Sequence, residues 1–313
     1  MASFAPHPLT LRQLQYAVAV ADARSFRRAA ELCRVSQPSL SAQLAQLEDV
    51  LGARLFERER RPVLLTPAGE QIVERARRLL VDTDDLLGAA KQLGDPLSGS
   101  LRIGVIPTIS PYLLPEIVPT IRRVHPRLTA LWVEDKTEVL VANLGEGKLD
   151  AALLALEAPL GTLDHQVIAR DPFVLVTPAG HPLAAGKGPA RLSELNGATV
   201  LLLDDGHCLR DQALSLCSRA RAHEADFRAT SLSTLAQMVS AGAGVTLLPR
   251  LALATENRRG KLGVRRFAEP APHRTLALAW RKSSPLGPAL RRLCATIREA
   301  YAKAEPRLEQ AVA

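Results

Sequence analysis

The sequence predicts an α/β protein whose first third is helical and whose longer remainder alternates strands with helices. From Leu9 to about residue 90, apolar residues recur at helical spacing. From Leu101 onward, short apolar runs typical of buried strands alternate with helical segments, a pattern that favours parallel strands. With 313 residues, the chain is long enough for two or three domains with cores of their own.

The composition is that of a globular protein with a basic surface. Apolar residues make up 47% of the chain, and the formal net charge of +8 suits a partner that carries phosphates. No apolar run is long enough to span a membrane, and the first eight residues lack the features of a signal peptide, so we expect a cytoplasmic protein without a membrane partner. The four cysteines are too few for a disulfide scaffold, and a bond between two of them in the cytosol would be transient and regulatory.

Two short helices near the N-terminus are predicted to form a helix-turn-helix. Ser25 is a suitable N-cap for a helix that begins at Phe26, and Ser36 is one for a second helix that carries Pro38 in its first turn. Short polar side chains at the start of such a second helix can reach base edges and phosphates. A β-hairpin wing is predicted over residues 60–69, and three arginines are placed there to grip phosphate or the minor groove: Arg58, Arg60 and Arg61. Taken singly, each helix is better explained as a small amphipathic helix beside a solvated basic loop.

The next helix carries an apolar stripe with alternating spacings of four and three residues, which is typical of a coiled-coil seam. The stripe consists of Ile72, Ala76, Leu79, Thr83, Leu86 and Ala90. A single helix cannot bury such a stripe alone, so we expect it to pair with a second subunit. The alternative is that the stripe packs on its own domain. Residues 95–100, which include a proline and a glycine, are predicted to form a hinge.

In the second half, two threonines lie where a predicted strand turns into a helix. Thr108 follows the strand over residues 101–106, and Thr137 follows the strand that ends at Val133. Taken alone, each threonine is better explained as a helix cap. Phe173 begins what we expect to be a second lobe.

Cys208 is predicted to be a reactive thiol. It follows a short apolar run over residues 200–203 and a glycine, so it lies where a buried strand turns into a helix. Backbone N–H groups and the helix dipole favour the thiolate at such a position. The neighbouring His207, when protonated, and Arg210 would add to this effect.

Cys217 lies nine residues after Cys208. In one continuous helix the two residues would be about 13 Å apart along the axis and on opposite faces. A disulfide requires Cα atoms no more than about 7 Å apart. The bond can therefore close only if the helix unwinds, and we interpret the segment as a thiol–disulfide switch with two states.

A zinc site is the alternative for this segment. His207, Cys208 and Cys217 would supply three ligands, but zinc ligands usually come in tighter pairs and a fourth is not near in sequence. We therefore expect no metal. Cys33 and Cys294 fall inside predicted helices and are expected to be small buried apolar residues.

The segment from Gly206 to Ala213, together with Cys217, resembles the sensing segment of the peroxide-responsive members of the LysR-type transcription regulators. The resemblance covers roughly Leu9–Ala302. It implies a winged helix-turn-helix DNA-binding domain over residues 1–67, a linker and dimerisation helix over 68–94, a hinge over 95–100 and a two-lobed regulatory domain, similar to periplasmic binding proteins, over 101–313. Lobe I would comprise about 101–169 and 275–313, and lobe II about 170–274. On the DNA-reading helix the resemblance places, beyond the cap residue Ser36, residues Gln37, Pro38, Ser39, Ser41 and Gln43.

The resemblance also implies a function and its partners. The protein would bind promoter DNA, sense hydrogen peroxide by reversible oxidation of Cys208 and disulfide formation with Cys217, and control antioxidant genes, as an activator, a repressor or both. The side chains implied to hold peroxide or to support the thiolate are Thr108, Thr137, His207, Arg210 and Asp211. Further implied partners are RNA polymerase, a cellular reductant of the glutaredoxin or thioredoxin type, and other copies of the chain in a tetramer built as a dimer of dimers. No cofactor and no enzymatic activity are expected.

Three rival functions predict different behaviour. A LysR-type regulator of an organic metabolite, with incidental cysteines, would answer to the metabolite and not to oxidant. A thiol peroxidase would use the chemistry of Cys208 but would not need a helix-turn-helix or a coiled-coil seam. A transport binding protein would need an export signal, which the start of this sequence lacks.

Overall fold

The computed structural model of the chain describes residues 7–57, 62–91, 95, 97–186 and 188–310. Contacts within the chain divide it into two units, Met1–Lys91 and Gln92–Ala313. Each unit has its own cluster of buried apolar side chains.

The first unit is mainly helical. Its elements are α1 (Leu11–Ala23), α2 (Phe26–Leu32), α3 (Gln37–Leu51), β1 (Phe56–Glu57), β2 (Leu64–Leu65) and α4 (Pro67–Lys91). On α3, Leu40, Leu44 and Leu47 follow one another at helical spacing and are fully buried against other members of the unit's core, such as Ala17 and Val20 of α1. This apolar stripe holds α3 in place and leaves its first turn free.

Both predicted N-caps of the helix-turn-helix are confirmed. The Ser25 hydroxyl accepts a hydrogen bond from the Arg28 N–H (3.4 Å), and the Ser36 hydroxyl accepts one from the Ser39 N–H (3.3 Å). Pro38 lies in the first turn of α3, where its missing N–H costs little.

The predicted wing begins earlier than the sequence indicated. Phe56 pairs with Leu65 and Glu57 with Leu64 in an antiparallel register, so the hairpin starts before residue 60. Arg58, Arg60 and Arg61, which were predicted to contact DNA, lie outside the described residues.

The second unit alternates strands and helices as predicted. Its elements are β3 (Ser100–Val105), α5 (Ser110–Val124), β4 (Thr129–Glu134), α6 (Thr137–Gly145), β5 (Ala151–Ala155), β6 (Leu163–Pro178), a 3₁₀ turn (Leu192–Leu195), β7 (Thr199–Leu203), α7 (Cys208–Ala220), β8 (His223–Ala229), α8 (Leu232–Ser240), β9 (Thr246–Pro249), α9 (Arg250–Glu256), β10 (Leu262–Arg266), β11 (His273–Arg281) and α10 (Gly287–Gln310).

The strands are only partly parallel. Strands β4, β3 and β5 are parallel neighbours, and β7 is parallel to β8. Strand β11 lies antiparallel between β5 and β6, and β9 and β10 pair antiparallel with the second half of β6. The expectation of parallel strands is confirmed for β3, β4 and β5 and does not extend to β6 and β9–β11. The reason is that β6 carries the chain out of the first lobe and β11 brings it back alongside, so the two must run in opposite directions.

The boundary predicted between the lobes, at residues 169 and 170, falls inside β6. This strand runs without a break through Leu163–Pro178, and its two halves pair with strands of different lobes. Within the described residues, none of the helices is long and apolar enough to cross a membrane.

Candidate redox site

The candidate site is built at the start of α7. Strand β7 is buried over Val200–Leu203 and delivers the chain to Gly206, which has a φ of +84°, in the left-handed region that favours glycine. A Cβ at this position would lie 3.1 Å from the Nζ of Lys136, which is the end of a flexible side chain and can shift, so the backbone conformation is the reason for a glycine here. His207 is the N-cap and Cys208 the first residue of the helix. The predicted order of strand, turn and helix is confirmed.

Cys208 is half-buried, and its neighbours shift the pKa of its thiol in opposite directions. Burial is the strongest influence and raises the pKa of the thiol above its usual value, and the charge of Glu157 adds to this. The Thr137 hydroxyl, the Arg274 guanidinium and the Leu209 N–H act in the opposite direction and favour the thiolate. The backbone N–H at the turn thus favours the thiolate as expected, but the net shift of the Cys208 pKa is upward because the effect of burial is larger.

Arg274 and Asp171 form a fully buried ion pair beside this thiol. The Arg274 Nη2 lies 2.9 Å from the Asp171 Oδ2, and neither side chain has measurable exposure. The two residues are cross-strand neighbours on β11 and β6. The remaining Asp171 oxygen accepts a hydrogen bond from the Leu251 N–H (3.0 Å), which fixes the carboxylate and, through it, the guanidinium.

Thr108 is held by the same arginine. Its hydroxyl accepts a hydrogen bond from Arg274 Nη1 (2.8 Å), and its carbonyl accepts one from Arg274 Nη2 (3.0 Å). The structure therefore brings Thr108, predicted from the sequence, together with Arg274 and Asp171, which sequence reasoning missed. The only sequence signal for Arg274 was a charged residue at the start of an otherwise apolar strand.

Thr137 differs from Thr108 because its hydroxyl is not held by a buried arginine. It is the first residue of α6 and only 6% exposed, yet its hydroxyl has no hydrogen-bond partner among the described residues. The hydroxyl lies close enough to Cys208 to lower the pKa of that thiol, without the geometry of a hydrogen bond to it. A buried polar group in this condition is suited to a small polar ligand.

His207 is buried at the N-cap of α7. Burial lowers the pKa of its imidazole, and the positive charge of Lys136 lowers it further, against the opposing effect of Asp204. The ring is therefore neutral near pH 7, and it does not supply the positive charge that the sequence suggested for the thiolate.

Arg210 takes a different role from the one predicted. Its side chain is 7% exposed, and its Nε and Nη1 lie 2.8 Å from carboxylate oxygens of Asp205 and Glu224, respectively. Nη1 also donates to the Leu203 carbonyl (3.1 Å). The guanidinium thus ties the start of α7 to β7 and β8, and the positive charge that acts on Cys208 comes from Arg274 instead.

Cys217 lies further along the same helix in apolar surroundings. It is 3% exposed, and burial together with the charge of Glu224 raises the pKa of its thiol to about 11. All four cysteines are free thiols. Because α7 is continuous from Cys208 to Ala220, the two sulfur atoms are held apart, as the spacing predicted.

One side of Cys208 opens into a cavity of about 560 Å³. Asp211, which is exposed in the first turn of α7, lines this cavity together with Gln212. The predicted site residues Thr108, Thr137 and His207 are not part of its lining. No group of three or more His, Cys, Asp and Glu side chains within the described parts of the chain could hold a metal ion.

Two segments of the chain match known domain families. Residues 94–302 match the LysR substrate binding domain, and residues 11–70 match the bacterial regulatory helix-turn-helix protein of the lysR family. The chain belongs to the LysR family.

Proteins similar to this chain match it over nearly their whole length. The hydrogen peroxide-inducible genes activator of Pectobacterium carotovorum subsp. carotovorum is 45% identical over 292 residues, which cover 93% of this chain and 96% of that protein. A full-length OxyR variant from Pseudomonas aeruginosa has a TM-score of 0.76 at 38% identity, with 93% of this chain and 95% of that chain covered. A hydrogen-peroxide-bound OxyR mutant from Corynebacterium glutamicum has a TM-score of 0.65 at 36% identity and covers 98% of both chains.

The LysR helix-turn-helix places its predicted DNA-reading residues at the start of α3. Gln37, Pro38 and Ser39 are exposed in the first turn, and Ser41 and Gln43 are half-buried one turn later. Ser36 is exposed too, but its hydroxyl already caps the helix. Cys33 is the C-cap that follows α2 and is only half-buried, so the expectation of a buried residue inside the helix is wrong for it. Cys294 is fully buried in α10 as expected.

The predicted seam on the linker helix α4 divides into two parts. Ala76 is 1% exposed and Ile72 is half-buried, and both pack on the core of their own unit. Leu79 and Leu86 are 50% and 70% exposed. Thr83 is half-buried, and its hydroxyl donates to the Leu79 carbonyl. The side chain of Ala90 lies outside the described residues. The stripe therefore packs partly on its own domain, and only its later part is free for a partner.

Proposed function

We propose that this LysR regulator binds promoter DNA and senses hydrogen peroxide through Cys208, with Cys217 as the second thiol of a reversible disulfide. The relatives named as hydrogen peroxide-inducible activators support this function at 45% identity. The observation that carries the proposal is the single helix α7, which holds a half-buried thiol at its first residue and a buried thiol nine residues later.

The first step is oxidation of the Cys208 thiolate. Its sulfur attacks one peroxide oxygen, so that an S–O bond forms while the O–O bond breaks. The sulfur is oxidised by two electrons to sulfenic acid, and the departing hydroxide takes up a proton and leaves as water. Arg274 favours the thiolate before the reaction, and the partnerless hydroxyl of Thr137 is suited to orient the peroxide.

The second step joins the two cysteines. The Cys217 sulfur displaces the hydroxyl of the sulfenic acid, giving a disulfide and a second water molecule. Because the two Cα atoms start about 13 Å apart along one helix, α7 must unwind for the bond to close. Unwinding removes Cys217 from the core and breaks the ties of Arg210 to Asp205 and Glu224.

The rearranged lobe would change how sensing domains pair and hence how the DNA-reading helices are spaced. We infer that copies pair through the free stripe of α4, including Leu79 and Leu86, and that two such pairs form a tetramer. The oxidised form would contact RNA polymerase at the promoters it activates. A glutaredoxin- or thioredoxin-type reductant would reopen the disulfide by thiol exchange and reset the regulator.

We infer that the protein acts as a sensor and not as a peroxidase. Like a thiol peroxidase it would consume about one peroxide per reduction cycle, but it would complete these cycles slowly. This distinction follows from the helix-turn-helix, for which a peroxidase has no use, and from the need to refold α7 before each new cycle.

The proposal is tested with genomic DNA fragments that are first isolated by their binding to the purified protein. The footprint of the reduced full-length protein on these fragments is then compared before and after addition of peroxide. We expect peroxide to change the footprint of the wild type, whereas Cys208→Ser keeps DNA binding and loses the change. Cys294→Ala, which removes a thiol buried elsewhere, serves as the control and should respond normally. A peroxide-dependent footprint that persists in Cys208→Ser would contradict the assignment. A wild type that ignores peroxide would favour a regulator of an organic metabolite.

A further inference from the structure

The first turn of α9 holds the carboxylate that fixes Arg274. Pro249, the N-cap of this helix, has no side-chain group that could accept a hydrogen bond from the helix start. The Leu251 N–H donates instead to Asp171 Oδ1 (3.0 Å), and Asp171 Oδ2 accepts a hydrogen bond from Arg274 Nε (3.0 Å). The positive end of the helix dipole also favours a carboxylate at this place. The position of α9 therefore decides where Arg274 is held beside Cys208.

Arg250, the first residue of α9, is clamped by the C-terminal end of α10. Its side chain is 11% exposed, and its Nη2 and Nη1 donate to carboxylate oxygens of Glu305 (3.0 Å) and Glu309 (3.2 Å), respectively. The Glu309 carbonyl accepts a further hydrogen bond from Arg266 of β10 (3.0 Å). A guanidinium that is buried this far needs paired carboxylates, because an unpaired buried charge is costly. The clamp thus fixes the start of α9 on α10.

Tyr301 lies next to both the clamp and the buried ion pair. It precedes Glu305 and Glu309 on α10 at spacings of four residues, which places the three side chains along one face of the helix. Burial raises the pKa of the Tyr301 hydroxyl to about 12, the negative charge of Asp171 adds to this, and Arg250 opposes it. The phenol is therefore within range of both charges. The clamp and the ion pair are close in space as well as joined along the chain of α9.

We propose that Arg250 is a positioning residue for the reaction of Cys208, so that the last turns of α10 take part in peroxide sensing. This inference rests on the proposed function. The two glutamates of the clamp hold Arg250 and thereby the start of α9, whose N–H group holds Asp171 and, through it, Arg274. When the clamp is opened, Arg274 is fixed less well and favours the thiolate less.

The test reads the state of Cys208 with two probes on the reduced full-length protein over a range of pH. Iodoacetamide alkylates the thiolate and reports its fraction without any peroxide, whereas hydrogen peroxide reports the sensing reaction. Mass spectrometry of the Cys208 peptide follows both reactions, and the free energy of unfolding of each variant is measured alongside.

Two variants open the clamp from opposite sides. Arg250→Gln removes the buried guanidinium. Glu305→Gln combined with Glu309→Gln removes carboxylates that are 43% and 51% exposed, and it tests the clamp even if Arg250→Gln does not fold. The matched control is Arg307→Gln, which lies between the two glutamates in sequence and breaks an ion pair of the same helix to Glu116 of α5.

We expect both clamp variants to move both pH profiles of Cys208 upward by about half a pH unit, a fraction of the effect of a neighbouring opposite charge. Both reactions should then be about threefold slower at neutral pH, and the difference should vanish at alkaline pH, where the thiol is ionised in every variant. Combining the two sets of substitutions should move the profiles no further, since they break the same interaction. The Arg307→Gln control should match the wild type.

A clamp that only stabilised the fold would lower the free energy of unfolding without moving either profile, and that result would overturn the inference. An equal displacement in Arg307→Gln would overturn it too. If hydrogen peroxide oxidises Cys208 while neither profile moves, the proposed function stands without the inference. If the iodoacetamide profile moves in the clamp variants but hydrogen peroxide leaves Cys208 reduced, the positioning role holds and the proposed function fails.

Discussion

The two ends of α7 carry the same functional group in very different surroundings. Cys208, at the first residue, is half-buried next to the Arg274 guanidinium and the Thr137 hydroxyl, which oppose the effect of burial on its pKa. Cys217 lies in the apolar core, where burial and Glu224 act in the same direction and raise the pKa to about 11. A peroxide can therefore react with Cys208, whose neighbours favour the thiolate, whereas Cys217 stays buried and protonated until the helix unwinds.

Burial raises the pKa of both thiols. The difference in their reactivity therefore comes from the polar and charged neighbours that lower the pKa, which only Cys208 has. It also separates the two chemical steps. The first depends on the polar groups around Cys208, and the second depends on how firmly α7 is held in its helical form.

The largest expected effect is the loss of the disulfide when the Cys217 thiol is removed. In Cys217→Ala we expect Cys208 to be oxidised at the wild-type rate, the intramolecular disulfide to be absent, and sulfenic acid to accumulate. Alanine avoids placing an unsatisfied hydroxyl in the core. A sulfenic-acid probe followed by mass spectrometry measures the outcome. Cys294→Ala, which removes an equally buried thiol from α10, should still form the disulfide. If Cys208 formed an intramolecular disulfide with another cysteine in Cys217→Ala as fast as in the wild type, the role given to Cys217 would be wrong.

Releasing the start of α7 should speed the second step alone. Arg210→Gln removes the ion pairs to Asp205 and Glu224, and we expect the free energy of unfolding to fall by about 2 kcal/mol, the usual loss for a charged hydrogen bond. Disulfide closure after oxidation should become faster because the helix opens more readily. Stopped-flow quenching with mass spectrometry would follow both steps.

The matched control for this variant is Arg219→Gln, because Arg219 is exposed in the last turn of the same helix. It should change neither step. An unchanged rate of closure in Arg210→Gln, despite the loss of stability, would show that unwinding does not limit the second step.

The smallest expected effect comes from Thr137→Val, and it is read from the pH dependence of the first step. Because the pKa of Cys208 is raised, the thiolate fraction and the oxidation rate should increase as the pH rises toward that pKa. The Thr137 hydroxyl lowers this pKa, so its removal should move the profile to higher pH and slow the reaction severalfold at neutral pH. Stability should not fall, since the buried hydroxyl has no partner to lose.

Thr108→Val provides the contrasting control. Its hydroxyl accepts a hydrogen bond from Arg274, so its removal leaves a buried donor without a partner and should cost about 1–3 kcal/mol of stability. Equal losses of stability in the two threonine variants would contradict the difference between their surroundings.

Much of α7 was predictable because its determinants are local. The apolar run of β7, the glycine at 206 and the spacing of Cys208 and Cys217 are neighbours in sequence, and they fix the turn, the helix and the separation of the thiols. The caps Ser25 and Ser36 were predictable for the same reason.

The groups that tune Cys208 were not predictable, because they reach it through pairing between distant strands. Arg274 and Asp171 become neighbours only through the antiparallel register of β11 and β6, which the alternation of strands and helices did not indicate. Arg210 was assigned to the thiol because it is close in sequence, but its partner Glu224 comes from β8. The net direction of the Cys208 pKa shift depends on burial, which sequence proximity does not show.

The central claim is that disulfide formation and the helical state of α7 exclude each other. It is tested most directly by mass spectrometry of the full-length protein before and after a small excess of hydrogen peroxide, with thiol mapping and amide hydrogen exchange on the same samples. We predict a rapid Cys208–Cys217 disulfide, a loss of amide protection across α7 and the recovery of both thiols and protection on reduction. Thiols that stay free in excess peroxide, or a disulfide that forms while α7 remains protected, would contradict the account.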